Sequence, residues 1–408
     1  MSKKFWCCWC TSTCAWYFFF LGTIASTLLA DGVAAVHADA LHFFRNATSE
    51  KLPIIAYSVV GYHGDMFGIP MALAAIFHPR NVYGVMLDAS VPMMQVSALH
   101  KQIVDMVRTS SCDAACVEAQ IFVKRLDFSI THGGISEPLA YLDTLNQLLK
   151  FAHWDFAINL TPVDYPLTDQ DNIARFLSSF PNQNFLGTHA TGVGRAAGKF
   201  FARWHQIHHD PSLLHIRRID TNGPKNDRQT LLNLHTNLPS SIVDSSNVKV
   251  YQGEAYTIIC RPFAHYAINS PLSRRLIALL SNGFGVSEQL LPSILGNSPQ
   301  FESCPTTLRM NNAAAGPMIA MTSDNKTDDV VMALAKTGLL FARKFPTMQW
   351  SKCSNDNPCT NESFRTAVHD GLLQRRGTHV NILQQIWMHA AFERLTRLNK
   401  TCLYPKKQ

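Results

Sequence analysis

The sequence predicts an α/β fold, and three stretches carry that expectation. Ile54–Val60 and Val82–Leu87 are apolar runs of strand length. Between them Ile69, Leu73, Ile76 and Phe77 recur at helical spacing, which makes the pattern of a βαβ unit. The third stretch is Trp154–Leu167. It opens on a buried-strand run (Phe156, Ala157, Ile158, Leu160) and ends in Thr161, Pro162, Asp164 and Pro166, which cannot continue a central strand. An open α/β sheet binds ligands outside the carboxyl ends of its strands, so a strand that stops at an aspartate can place a carboxylate there. On these residues alone the stretch also reads as a core strand followed by a turn with a solvated Asp164.

Bulk properties narrow the class. The 408 residues allow one large domain or two small ones, and 47% hydrophobic with 16% charged residues can bury a sizeable core. The net charge of +7 has no long basic run behind it. It is too diffuse for a nucleic-acid footprint and suits anionic ligands such as nucleotide sugars.

The first fifty residues stand apart. Lys3 and Lys4 form a short tail (1–4) before an almost uncharged run at 5–30, long enough to cross a bilayer as one helix. Positive charge ahead of it predicts a cytoplasmic N-terminus, hence a type II signal-anchor. The alternative is a cleaved signal peptide, for which AVHADA at 35–40 offers a site; the run exceeds the usual h-region, which favours the anchor. Residues 31–50 then form a stem, and 51–408 a single lumenal catalytic domain. Both readings place the domain in the secretory lumen, anchored in the Golgi membrane or secreted.

The cysteines and sequons agree. Cys7, Cys8, Cys10 and Cys14 fall in the anchor, leaving seven of the 11 in the body without paired CxxC spacing, which argues against a zinc site. In an oxidising lumen Cys112–Cys116 and Cys353–Cys359 are the expected local disulfides. Sequons at Asn46, Asn325, Asn361 and Asn399 fall in polar segments and fit surface glycosylation; Asn159 also fits the pattern but lies in the expected buried strand.

Along the chain, residues 61–65 form a turn, Pro79 ends the first helix and Asp88 caps the second strand. Residues 100–125 read as helical and mixed, Leu126–Ile130 as a third strand. Ser136 is expected to cap a helix with Glu137 and Pro138 in its first turn and Leu139, Leu142, Leu145, Leu148 and Leu149 as its stripe. Thr168 is expected to start the helix after the Trp154–Leu167 stretch, with Asp171 in capping-box position. Residues 190–247 are polar, with a loop at 219–247. A β-rich patch follows at Val248–Arg261, then helices at 271–283, 286–295, 328–337 and about 378–398, with LLFARKF at 339–345 between the last two.

Several signatures fail. Gly192, Gly194, Gly198 and Lys199 lack phosphate-loop spacing, and no Gly-x-Ser-x-Gly elbow is present. His205, His208 and His209 have no placed Asp or Cys partners and read as a polar helix face. Asp169-Gln170-Asp171 spells Asp-x-Asp but falls in a helix's first turn, where acidic residues suit the dipole.

One set of blocks does not fail. His78-Pro79-Arg80-Asn81-Val82-Tyr83 with Leu87-Asp88, Trp154–Leu167, Asn184-Phe185-Leu186 with His189, Ser287-Glu288-Gln289-Leu290 with Asn297-Ser298-Pro299, Leu308-Arg309-Met310-Asn311-Asn312 and Leu340–Phe345 occur in order. Together they resemble the core-2/I-branching β-1,6-N-acetylglucosaminyltransferase and xylosyltransferase family over residues 52–346. The resemblance implies a GT-A-type domain with a mixed central sheet and an inverting transferase needing no metal or other cofactor. It would move GlcNAc or xylose from a UDP-sugar to a glycan or glycoprotein acceptor. It implies Glu288 as the base that takes the acceptor proton, and Lys344 with its neighbour Arg343 as cations for the departing diphosphate. Asp88 and Asp164 are implied on the donor side. The chain departs from the family at Ala313, where a tryptophan is usual, at Met318, where a basic residue is usual, and at Gly253-Glu254-Ala255-Tyr256, where Gly-Ser-x-Trp is usual. These departures leave a second function class open: a catalytically silent lumenal glycan- or protein-binding relative.

Overall fold

A computed structural model describes residues 39–44, 51–66, 68–109, 111–187, 189–190, 207–210, 212, 229–230, 232–234, 248–311, 327–343, 373 and 382–402. The chain divides into two units, Met1–Glu50 and Lys51–Gln408. In the first, residues 39–44 are helical. The expected anchor at 5–30 lies outside the described residues, among which no helix is long and apolar enough to cross a membrane. All that follows concerns the second unit.

Its centre is a seven-stranded mixed sheet. The strands are β1 (Ile55–Gly61), β2 (Val82–Leu87), β3 (Ile121–Arg125), β5 (Phe156–Leu160), β7 (Asn184–Phe185), β13 (Ile258–Cys260) and β14 (Ser303–Cys304), in the order β14-β7-β13-β5-β1-β2-β3. β5, β1, β2 and β3 run parallel, and β13 is antiparallel to β5. Every residue of β2 and β5 is buried, as expected for parallel strands covered on both faces, which read as continuous apolar runs rather than alternating ones. Smaller ladders are made by β4 (Thr131–His132) with β10 (Gln229–Thr230), β8 (His189–Ala190) with β12 (Tyr251–Gln252), and β9 (Ile207–His209) with β11 (Leu232–Leu234). β6 (Tyr165–Pro166), β15 (Arg309–Asn311) and β16 (Phe341–Arg343) form a separate three-stranded sheet with β16 in the middle.

The helices among the described residues are α1 (Gly68–Ile76), α2 (Met93–Val107), α3 (Ala114–Glu118), α4 (Ser136–Phe151), α5 (Gln170–Ser178), α6 (Arg261–Asn269), α7 (Pro271–Leu280), α8 (Leu290–Gly296), α9 (Thr327–Ala335) and α10 (Ile382–Cys402). A Cβ on Gly84 of β2 would stand 2.6 Å from the Phe122 ring of neighbouring β3 and 3.1 Å from Thr144 of α4, which explains a glycine in mid-strand.

The βαβ unit and the Trp154–Leu167 strand stand where the sequence places them, and other elements shift. The third strand is Ile121–Arg125, not Leu126–Ile130. Its Ile-Phe-Val run pairs with β2, and Leu126 adds one last bond to the Leu87 carbonyl before the chain turns away. Asp169, not Thr168, caps α5 by accepting from the Asn172 N–H, while Asp171 is held by Arg80 at 3.0 Å and makes no capping box. Ser136 is the first residue of α4 rather than its cap; Asp210, 74 positions away, accepts from both its N–H and its hydroxyl. His208 and His209 lie on strand β9, not on a helix. Cys112–Cys116 forms as expected, and a second disulfide joins Cys304 on β14 to Cys402 at the end of α10. Cys260 is free and buried. Cys353 and Cys359 lie outside the described residues, as does most of the loop expected at 219–247; within it Gln229–Thr230 and Leu232–Leu234 are the short strands β10 and β11, because each finds a partner strand far away in sequence or just before it.

Candidate active site at the carboxyl edge of the sheet

The carboxyl ends of β1, β2 and β5 point to one edge, and antiparallel β13 brings the residues that precede it, Ala255 to Thr257, to the same edge. A cavity of about 60 Å³ opens there. It is lined by Tyr62 beyond β1, Asn159 and Thr161 at the end of β5, Glu137 and Tyr141 on α4, Tyr256 before β13, and Ser287. Ser287 belongs to the 3₁₀ turn Val286–Glu288. Gly285 opens that turn in the left-handed region, φ 69°, which glycine adopts without steric cost.

Asp164 is fully buried behind this edge. Its Oδ2 accepts from the Thr161 N–H at 2.6 Å and the Thr161 hydroxyl at 2.8 Å. Its Oδ1 faces Arg309 Nε at 3.5 Å and Arg343 Nε at 4.0 Å. The parallel pairing of β15 with β16 brings the two arginines together, and their side chains are 2% and 6% exposed. Arg309 Nη2 donates to the Asn159 carbonyl at 2.8 Å. Among the described residues, Arg309 Nε and Nη1, Arg343 Nε and Asp164 Oδ1 are buried without a hydrogen-bond partner. The Tyr256 ring lies over Arg343 at 3.6 Å and over Arg309 at 5.0 Å. Two guanidiniums against one carboxylate leave one positive charge in excess among these residues. Burial pulls the Arg309 guanidinium below its ordinary value and the adjacent Arg343 adds to that, while Asp164 opposes it. Burial raises the Tyr256 hydroxyl well above its ordinary value, against Arg343. Leu308, just before Arg309, holds a left-handed backbone at φ 54°. That conformation costs a non-glycine residue roughly 1–2 kcal/mol, and the buried Leu308 side chain, with the Leu340 N–H on its carbonyl, holds it in place.

The other sequence-nominated residues are placed as follows. Asp88 is buried at the end of β2, with Oδ1 accepting from the Ser90 N–H at 2.8 Å and Oδ2 from the Ile130 N–H at 2.5 Å; both oxygens thus shape the turn beyond the strand. Glu288 is half-buried; its carbonyl accepts from the Gly253 N–H at 2.8 Å and its Oε2 from Gln252 Nε2 at 3.4 Å. A Cβ on Gly253 would meet the Leu186 carbonyl at 2.6 Å, so that close approach requires glycine. Lys344, Ala313 and Met318 lie outside the described residues, as do the sequons Asn46, Asn325 and Asn361. Asn399 is half-buried on α10, and Asn159 spends its amide on the Ala255 carbonyl at 2.9 Å. Among the described residues no group of three or more His, Cys, Asp or Glu side chains is arranged to hold a metal. The Asp-x-Asp stretch is occupied otherwise: Asp169 caps α5 and Asp171 pairs with Arg80.

Sequence reasoning missed two participants. Arg309 is legible only as part of a block, and its ion pair with Asp164 crosses 145 positions of chain. Glu137 reads as an ordinary acid in a helix's first turn. The signal available for it was the glycine pair just before the helix, which lets the loop fold back onto the carboxylate.

Comparison with known proteins points the same way. A family model described as core-2/I-branching enzyme matches residues 55–314. β-Glucuronosyltransferase GlcAT14C of Arabidopsis thaliana is 26% identical over 303 residues, which is 73% of this chain and 72% of that protein. Xylosyltransferase 2 of Canis lupus familiaris is 24% identical over 265 residues, 63% of this chain but 26% of its own length. A β-1,3-galactosyl-O-glycosyl-glycoprotein β-1,6-N-acetylglucosaminyltransferase of Mus musculus is 24% identical over 247 residues, 60% of this chain and 47% of its own length.

Proposed function

The chain belongs to the core-2/I-branching enzyme family and is a glycosyltransferase; from that premise we propose an inverting, metal-independent transfer from a UDP-sugar to a glycan or glycoprotein acceptor, on a GT-A-type domain anchored in the Golgi membrane. One observation supports this reading best. At the carboxyl edge of the sheet a buried cluster with an excess positive charge (Asp164, Arg309, Arg343) adjoins a cavity beside the turn that carries Glu288.

The chemistry follows from that sorting of charge. The acceptor hydroxyl attacks the anomeric carbon while the bond from that carbon to the diphosphate oxygen breaks. Glu288 takes the hydroxyl proton as the new bond forms. The leaving diphosphate gains negative charge, which fixed cations stabilise without reorganising. Arg343 and the adjacent Lys344 supply those cations, and Asp164 holds the guanidinium of Arg343 in place. A fixed lysine and arginine can do what a divalent cation does in other transferases. Asp88 acts on the donor through the turn it shapes. The donors to consider are UDP-GlcNAc, UDP-xylose and, given the glucuronosyltransferase relatives, UDP-glucuronic acid.

The test is a screen of these three donors with the full-length protein in detergent and EDTA, reading UDP release. One donor should turn over in EDTA, and Glu288→Gln should lower that rate by about 10²- to 10⁴-fold with the Kd for UDP unchanged. UDP binding without turnover of any donor would favour the silent-relative reading, which the absence of the usual tryptophan at Ala313 keeps in view. Turnover only with added divalent cation would overturn metal independence.

A further inference from the structure

We propose that Glu137, which neither the motifs nor the relatives single out, binds a hydroxyl or hydroxymethyl group of a saccharide acceptor and so sets acceptor specificity. This rests on the glycosyltransferase reading above and deepens it. Glu137 stands in the first turn of α4, and one of its oxygens does what an acid there ordinarily does: Oε2 accepts from the Gly133 N–H at 3.0 Å. The same oxygen faces the Ser287 hydroxyl at 3.4 Å, across 150 positions of chain. That contact ties α4 to the turn that carries Glu288.

The second oxygen is the point of interest. Among the described residues no hydrogen bond reaches Oε1, and the exposed His132 ring stands off it, with Nδ1 at 3.9 Å. Glu137 is the one carboxylate in the lining of the carboxyl-edge cavity. Three neutral lining groups are already engaged. The Asn159 amide donates to Ala255, the Thr161 hydroxyl donates to Asp164, and the Tyr141 hydroxyl accepts from Thr257. The strongest unspent acceptor in the cavity is therefore charged, and it calls for a donor O–H.

Size and charge say which part of the substrate that is. A cavity of about 60 Å³ has room for roughly two waters. It admits a hydroxymethyl or hydroxyl group while the sugar ring stays outside. A diphosphate is excluded by repulsion from Glu137 and drawn instead to Arg343, which lies against the Tyr256 ring. Tyr256 also lines the cavity, so one aromatic residue contacts both the cationic cluster and the acceptor side. The carboxylate next to the expected base thus holds a hydroxyl of the acceptor while Glu288 takes the proton of the reacting one.

The experiment measures binding to the full-length protein with saturating UDP, using p-nitrophenyl β-galactoside and its 6-deoxy analogue as probes. Wild type should bind the galactoside about 10- to 100-fold more tightly than the analogue, the range for a hydrogen bond to a charged group. Glu137→Ala should erase that preference and leave the Kd for UDP unchanged. Glu137→Gln retains an acceptor for the Gly133 N–H, so the fold survives if the alanine variant does not, and it should lose at least half of the preference on a logarithmic scale. The proposal is overturned if wild type does not bind the galactoside or does not distinguish the two probes, if the preference survives in Glu137→Gln, or if the UDP Kd shifts in parallel. Failure of the donor screen would instead remove the glycosyltransferase reading on which the proposal stands.

Discussion

The two edges of the central sheet teach opposite lessons about where chemistry sits. At the amino edge a cavity of about 440 Å³ opens among Lys51, His153, Trp154, Asp155 and Arg261. At the carboxyl edge the cavity is about 60 Å³. In the larger one Asp155 and Arg261 are spent on structure. Asp155 accepts from the Ile54 N–H at 2.7 Å, and Arg261 donates to the Ala152 and Leu149 carbonyls and lies 5.1 Å from the Trp154 ring centre. The smaller one adjoins a buried Asp164–Arg309–Arg343 cluster with four unpartnered polar atoms and an excess positive charge. Leaving buried charge unpaired is expensive, so a fold keeps such an arrangement where a ligand completes it. Unspent charge, not cavity volume, is the ground for placing the proposed site at the carboxyl edge.

The largest expected effect comes from removing the only anion of the cluster. Asp164→Ala leaves two guanidiniums buried against each other and should cost about 3–5 kcal/mol, read as a shift in the urea midpoint, with transfer lost. A cost below about 1 kcal/mol would mean that the cluster is solvated and that the contrast between the edges is false.

At the amino edge, Arg261→Ala removes two hydrogen bonds to carbonyls and the contact with Trp154. It should cost roughly 1–3 kcal/mol and leave UDP binding and transfer unchanged. Lost transfer at full folding would place function at the wrong edge.

Arg343→Met sharpens the comparison. It leaves one arginine against one aspartate, so the cost to stability should be small, about 1 kcal/mol or less. The rate of transfer should nonetheless fall at least about tenfold through lost stabilisation of the leaving diphosphate. Stability and activity separate at this residue only if its charge serves a ligand.

The smallest effect is a pH dependence near the amino end of β2. Burial would raise the Asp171 carboxyl, but the Arg80 hydrogen bond and the charges of His78 and Arg175 outweigh it and hold the group below its ordinary value of 3.8. A depressed carboxyl adds stability that is present above the unfolded value and is lost as pH falls through the folded one. Asp171 is about one-third exposed, at 34%, so solvent screening limits the contribution to roughly 0.3–1 kcal/mol. Asp171→Asn should flatten the fall in stability below about pH 4 by that amount and leave the curve at pH 7 to 8 with the same shape. An unchanged acid limb would show that the Arg80 pair contributes nothing.

Much of the scaffold was legible in the sequence because its cause is local. The apolar run Val82–Leu87 is a strand to the residue, since a fully buried parallel strand has few other readings. The stop after Leu160 was legible too: Thr-Pro-Val-Asp cannot extend a ladder, and Tyr165–Pro166 pairs only as a short strand of another sheet. The third strand was misplaced by five residues because Ile121–Arg125 and Leu126–Ile130 are both short mixed runs, and only pairing with β2 selects the first. The Cys304–Cys402 disulfide was missed because spacing suggests only short loops, while this one joins chain segments 98 positions apart.

The candidate site divides along the same line. The sequence by itself determined the α/β class, the membership of the family and the blocks that carry Asp88, Asp164, Glu288 and Arg343, because strand length, proline stops and block order are properties of neighbours along the chain. Tertiary structure alone decided which of these side chains meet. It set Arg309 and Arg343 against Asp164, laid Tyr256 over both guanidiniums, spent Asp88 on two backbone N–H groups, and put Glu137 in the lining of the carboxyl-edge cavity. Charge balance, burial and unsatisfied hydrogen bonds depend on distances in space, and a linear chain records none of them.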